Sequence, residues 1–184
     1  MKHNLGLLFF LICLVSACKD NVLPKPKAML RLEYPSGKEG LLETEHFSIK
    51  YNETAKLKSG SNTSFTLDYP LMKGSIFINY KEVKGNLEKL LTDAQKLSYE
   101  HVVKADGIFE EPVVNAPHKV FGMYYEVKGN AASQSQFYVT DSTKHFVTGS
   151  LYFYAKPNYD SILPAAVHLQ NDIRNIIESL RWKE

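Results

Sequence analysis

The chain has 184 residues, 22 Lys and Arg against 20 Asp and Glu, and a formal net charge of +2. That near balance, with lysines scattered rather than gathered, excludes the dense basic face that nucleic-acid binding requires. The two cysteines, Cys13 and Cys18, both lie close to the N-terminus. A disulfide framework, a thiolate nucleophile and a cysteine metal site are therefore excluded from the rest of the chain.

Lys2 supplies a positive start, Leu5–Val15 an apolar run, and Val15-Ser16-Ala17 lead into Cys18. This is a secretory signal whose apolar core is too short to span a bilayer as a mature helix. Val-Ser-Ala-Cys also matches the bacterial lipoprotein cleavage motif, in which the cysteine thiol takes diacylglycerol and becomes the new N-terminus. Residues 1–17 are then the signal peptide and Cys18 the lipidation site, contacting the membrane through its acyl chains. The plainer alternative is an ordinary signal cut after Ala17. Two or three acyl chains anchor stably, whereas one attaches only marginally. Residues 18–27 carry Pro24 and Pro26 between lysines, the composition of an extended tether. At about 3.1 Å per residue it holds the following domain roughly 30 Å from the bilayer.

A single globular domain is expected over 28–184. Leu30, Leu32 and Tyr34 alternate with charged residues, and Phe47/Ile49/Tyr51, Phe65/Leu67/Tyr69 and Ile76/Ile78/Tyr80 repeat the pattern of half-buried strands. Lys58-Ser59-Gly60-Ser61-Asn62 reads as a turn. Asn86 is a fair N-cap for a helix over about 87–103, with Leu87, Leu90, Leu91, Ala94, Leu97 and Val102 as its apolar stripe. His101 falls at the edge of that stripe. Ala105–Phe109 and Val120–Val127 are further strands, with Pro112 and Pro117 in the loop between them. Gln136–Thr140 and His145–Ala155 form a hairpin around Asp141-Ser142-Thr143-Lys144, apolar on both faces and so interior to a sheet. A second helix is expected over about 164–181, where Ala166, Leu169, Ile173, Ile176, Ile177 and Leu180 make an amphipathic stripe. Pro164 fits the first turn of such a helix and nowhere deeper. The order of elements predicts an α+β fold, a mainly antiparallel sheet with two packed helices.

No phosphate loop, dinucleotide fingerprint, serine elbow or paired-histidine zinc motif is present. His46, His101, His118, His145 and His168 never stand four residues apart, so no helical zinc pair forms. No cofactor is implied. Asp141, Ser142 and His145 are the residue types of a nucleophilic hydrolase, with Ser133 as an alternative nucleophile. A tight turn lacks the oriented, buried setting that makes a serine reactive, so the turn is read as structural and the protein as a non-enzyme. Tyr124, Tyr125, Tyr138, Tyr152, Tyr154 and Tyr159 crowd one region. They are read as core residues or, for Tyr138, Tyr152, Tyr154 and Tyr159, as a partner surface. A small-ligand carrier is the remaining alternative.

The phrases LPKPKAMLRLEYP after the cysteine, NLEKLLTDAQKL, FGMYYEVKGNAASQSQFYVTDSTKHFVTGSLYF and PNYDSILPA, with a terminal helix ending at Leu180-Arg181-Trp182, together resemble the gliding-motility lipoprotein GldD family of the Bacteroidetes. Gly129–Phe153 and Pro157–Pro164 are the most specific parts, and 36–64 the least. The resemblance implies a lipid-anchored cell-envelope protein at the outer membrane facing the periplasm. It would be an accessory or assembly component whose partners are other gliding-motility and type IX secretion proteins. A palmitate analogue would label it through Cys18. Lys19-Asp20 only weakly resembles the surface-export signals of these bacteria. The order of elements is also similar to PsbP- and Mog1-like folds. For such a family Asp141-Ser142-Thr143 and Asp160-Ser161-Ile162 fit an O-glycosylation pattern, with Ser142 and Ser161 as acceptors.

Overall fold

The computed structural model describes Tyr34 and residues 37–100, 104–154 and 158–184. The signal peptide, Cys18, the tether, all of the Leu30–Tyr34 strand except Tyr34, His101, Val102 and Ala155 lie outside those residues. Period-two alternation builds β1 (Glu39–Glu43), β2 (Phe47–Asn52), β4 (Ser64–Tyr69) and β5 (Gly74–Glu82), with β3 (Lys56–Ser61) between β2 and β4. Helix α1 (Leu87–Tyr99) follows, then β6 (Gly107–Asn115), β7 (Val120–Lys128), β8 (Ser133–Thr140) and β9 (His145–Phe153). Helix α2 (Tyr159–Ser179) and the short β10 (Arg181–Trp182) close the chain.

The large sheet has seven strands in the order β3-β4-β5-β9-β8-β7-β6, and a three-stranded sheet has the order β1-β2-β10. Every pairing is antiparallel, so the α+β expectation holds. The hairpin read from sequence is the middle of the large sheet: β9 is its fourth strand from either edge. One face, carrying Leu67, Ile76, Ile78, Val139, Val147 and Leu151, packs against Leu169, Ile173, Ile176 and Ile177 of α2 and against Phe47 and Ile49 of β2. The other face places Tyr125, Tyr138 and Phe146 beneath Leu87, Leu90 and Leu91 of α1. Helix α1 thus covers β7 to β9 and α2 covers the opposite side.

Five expectations need correction. Lys58–Ser61 is not a turn but most of β3, whose residues are all exposed. Its hydrogen bonds to β4 make it a strand without any apolar alternation. Pro112 is not in a loop but inside β6, opposite Met123. As an edge strand β6 tolerates a residue with no N–H to donate. Pro164 lies well inside α2, which begins at Tyr159. The missing N–H frees only one carbonyl, that of the exposed Asp160. The true start is held from afar, since Asn130 Oδ1 accepts from Tyr159 N at 2.9 Å. Asn86 does not cap α1 with its side chain, because Asn86 Oδ1 accepts from Lys84 N at 2.8 Å. In the same helix Leu97 is exposed and Ser98 is buried in its place. The Ser98 hydroxyl donates to Gln136 Oε1 at 3.1 Å, on the sheet face beneath the helix.

Candidate functional site

The turn Asp141–Lys144 is the first place to look for chemistry, and its geometry is that of a lock. Asp141 Oδ1 accepts from the backbone N–H groups of Thr143, Lys144 and His145 at 2.8–2.9 Å. Its Oδ2 accepts from the Thr143 hydroxyl at 2.8 Å. Burial raises the carboxyl pKa, but the amides of His145, Lys144 and Thr143 outweigh it and take it from an ordinary 3.8 to about 2. Ser142 sits exposed at a left-handed φ of 66°, a conformation that short polar residues tolerate in tight turns.

A group whose carboxylate form is favoured by folding stabilises the fold above its unfolded pKa and loses that effect as pH falls. Asp141→Ala is therefore expected to cost about 1–2 kcal/mol at pH 7, discounted for partial exposure. The cost should fade as pH drops from about 4 towards about 2. Urea titrations of both proteins at pH 7 and at low pH check this. An equal difference at the two pH values would contradict it.

His145 is turned away from the serine. Its Nδ1 shares a 2.9 Å hydrogen bond with the Tyr80 hydroxyl, and its ring stacks on Trp182 with centroids 5.2 Å apart at 10°. His46 stacks on the other partner, Tyr80, at 4.1 Å and 8°. Burial pushes the His145 pKa down, with the Asp141 charge opposing it. Trp182 Nε1 donates to the Lys119 carbonyl at 2.9 Å. These rings join β5, β9 and β10 at one end of the molecule. Ser133 is wholly buried and its hydroxyl donates to the Ser135 carbonyl at 3.1 Å. Neither serine has a hydrogen bond to His145 among the described residues. No three His, Cys, Asp or Glu side chains gather closely enough there to hold a metal ion.

The tyrosines separate into two groups. Tyr124 and Tyr125 are each 2% exposed, and Tyr138 is 7% exposed, stacked on Phe146 under α1 with centroids 5.8 Å apart. Tyr138 is therefore not part of an exposed partner surface, because α1 covers it. Burial pushes the Tyr124 hydroxyl up to about 12. Tyr152 shares the sheet face of Tyr138, half-buried and edge-on to Phe77 at 5.9 Å. Tyr154 is 63% exposed, and its hydroxyl shares a 2.8 Å hydrogen bond with Ser75, which donates to Asp68 Oδ1. Phe77, Tyr152 and Tyr154 mark the part of this face, over β5 and β9, outside the cluster in which α1 packs on Tyr125, Tyr138 and Phe146 among the described residues. Tyr159 is half-buried at the start of α2, away from them. Ser142 and Ser161 are both exposed, and the Ser161 hydroxyl donates to the Asn158 carbonyl at 2.9 Å.

Sequence reasoning missed one polar cluster. Asp172 of α2 is 8% exposed, and His168 stands one helical turn before it with Nε2 4.0 Å from Oδ2. Burial raises the Asp172 pKa, opposed by His168, the Tyr69 hydroxyl and Asn52. Burial also raises that of Tyr69, reinforced by the Asp172 charge. The i, i+4 spacing of a histidine and an aspartate beside the apolar stripe was the available signal.

No described helix is long and apolar enough to cross a membrane. A family model described as gliding motility lipoprotein GldD matches residues 19–182. No curated protein matches the chain in sequence.

Proposed function

The chain belongs to the gliding motility lipoprotein GldD family, and from that premise we propose a non-enzymatic accessory or assembly component of the gliding and type IX secretion machinery. It is held through acylated Cys18 at the outer membrane, facing the periplasm, and its folded domain docks other envelope proteins. The observation that carries the non-enzymatic reading is the turn. The Asp141 carboxylate is engaged by backbone amides and the His145 Nδ1 by Tyr80, so the residues best suited to hydrolysis are occupied in holding a hairpin. Ser142→Ala is accordingly expected to leave gliding, secretion and thermal melting unchanged. Loss of gliding at normal protein level and normal melting would restore the hydrolase reading.

Docking is assigned to the part of the sheet face with Phe77, Tyr152 and the exposed Tyr154. An aromatic patch of this kind supplies rigid amphipathic contact area. The test is a photo-crosslinking residue at position 154 of the full-length lipoprotein in native envelope membranes, with a control at Lys89 on the exposed side of α1. A discrete crosslinked envelope protein from position 154 and none from 89 is the expected result. The reverse pattern would place docking elsewhere. O-glycans on Ser142 and Ser161 are part of the same proposal, since both are exposed. They would appear as added mass on protein from the native host.

A further inference from the structure

Strand β6 is the last in the seven-stranded sheet, so one side of its backbone meets no other strand among the described residues. A free row of N–H and C=O groups is a template for another extended segment. The row is long here, since β6 runs from Gly107 to Asn115. Pro112 interrupts it without breaking the ladder to β7, whose register is continuous over the whole strand. The missing N–H of Pro112 is therefore on the outward side. By period two the N–H groups of Ile108, Glu110 and Val114 point outward as well.

Beside this edge lies an open groove of about 330 Å³ whose other wall is α2. Pro112, Val113 and Val114 line it from the strand, and Ile177 and Glu178 from the helix. Val114 is 73% exposed and Val113 half-buried. In strand addition the ladder bonds hold any extended chain, and pockets beside the edge sort its alternate side chains. Charge does much of that sorting here. Glu111 and Glu178 line the groove against a single cation, Arg174. That guanidinium is already shared, with Nε 3.5 Å from Glu111 Oε2 and Nη2 3.2 Å from Glu126 Oε2. Glu110, exposed and accepting from the Tyr99 hydroxyl, adds a further carboxylate to the strand. The edge is thus acidic around an apolar centre. Glutamates opposite glutamates would repel, which guards β6 against pairing with itself.

We propose that β6 binds an extended basic segment of a partner protein, which joins the sheet as a further strand. It lays an apolar side chain beside Val113 and a Lys or Arg, two residues away on the same face, against Glu111. The site is separate from the tyrosine face, so the two proposals stand or fall independently. The probe is acetyl-Lys-Thr-Val-Thr-Lys amide, whose side chains read the same in a parallel or an antiparallel pairing. One parallel arm carries Glu in place of both Lys. Another is N-methylated at Thr, Val and Thr and so lacks its inner N–H groups. Each is added to the full-length lipoprotein in zwitterionic detergent micelles and read by saturation-transfer NMR. Transfer from the lysine peptide is expected, with little or none from the other two. Glu111→Lys, at a side chain 63% exposed, is expected to weaken the lysine peptide about tenfold or more and to admit the glutamate peptide. Glu178→Lys, exposed on the helix wall, repeats the reversal should the first variant not fold. Glu39→Lys, on β1, controls for overall charge and should leave the signals as native. No transfer from the lysine peptide, equal transfer from either other peptide, or equal signals in all three variants would overturn the proposal. So would a native oligomer, seen by sedimentation and dissolved by Glu111→Lys, which would give the edge to a second copy.

Discussion

Replacing Ile173 by Asp is expected to abolish the cooperative thermal transition of the domain. Ile173 is 0% exposed, at the centre of the stripe that α2 presents to the large sheet and to Phe47 and Ile49 of β2. Truncating a fully buried isoleucine costs about 2–5 kcal/mol, and an unpaired carboxylate in an apolar core adds several more. The sum rivals the ~5–15 kcal/mol that holds a typical domain folded. The described residues clustered with Ile173 are apolar, so a carboxylate placed there meets no partner among them. Ile173→Val removes one methyl and should cost only about 0.5–1.5 kcal/mol. Circular dichroism melts of the two variants separate the cases. A normal transition for the Asp variant would mean that this face of α2 is not core.

The second large effect concerns location rather than folding. Cys18→Ala is expected to shift the protein from the membrane pellet to the soluble fraction, or to leave an uncleaved precursor. Each buried CH₂ of an acyl chain contributes about 0.8 kcal/mol to membrane affinity, so losing two or three chains lowers it by many orders of magnitude. Among the described residues no helix can replace that anchor by crossing the bilayer. Fractionation with metabolic labelling by a palmitate analogue reads both the position and the modification. Label or membrane retention persisting in the Ala variant would contradict lipidation at Cys18. The fold itself should be indifferent, because Cys18 precedes the described domain by the length of the tether.

The elements that local sequence determined are those whose signal is short-range. The β8–β9 hairpin was legible because Asp141 bonds amides two to four residues on, within reach of the turn's own side chains. The stripe of α2 was legible because Leu169, Ile173, Ile176 and Ile177 recur with the helical period, and all four are buried. The family resemblance, too, rests on local phrases in order. Periodicity, however, states which residues share a face and not what covers that face. Tyr138 lies in β8 and Tyr154 directly follows β9, both in aromatic stretches, yet one is 7% and the other 63% exposed, because α1 packs over Tyr138. Strand β3, exposed on both faces, carries no alternation to read, and only its ladder with β4 makes it a strand. Gly149 looks like a weak point in the central strand until β8 is beside it. A Cβ there would lie 2.0 Å from Phe137 Cε1, so the glycine makes room for that ring. The polar cluster around Asp172 depended most on distant partners. Tyr69 and Asn52 come from strands more than a hundred residues earlier in the chain, and a carboxylate is desolvated only when such partners close around it, which no local pattern encodes.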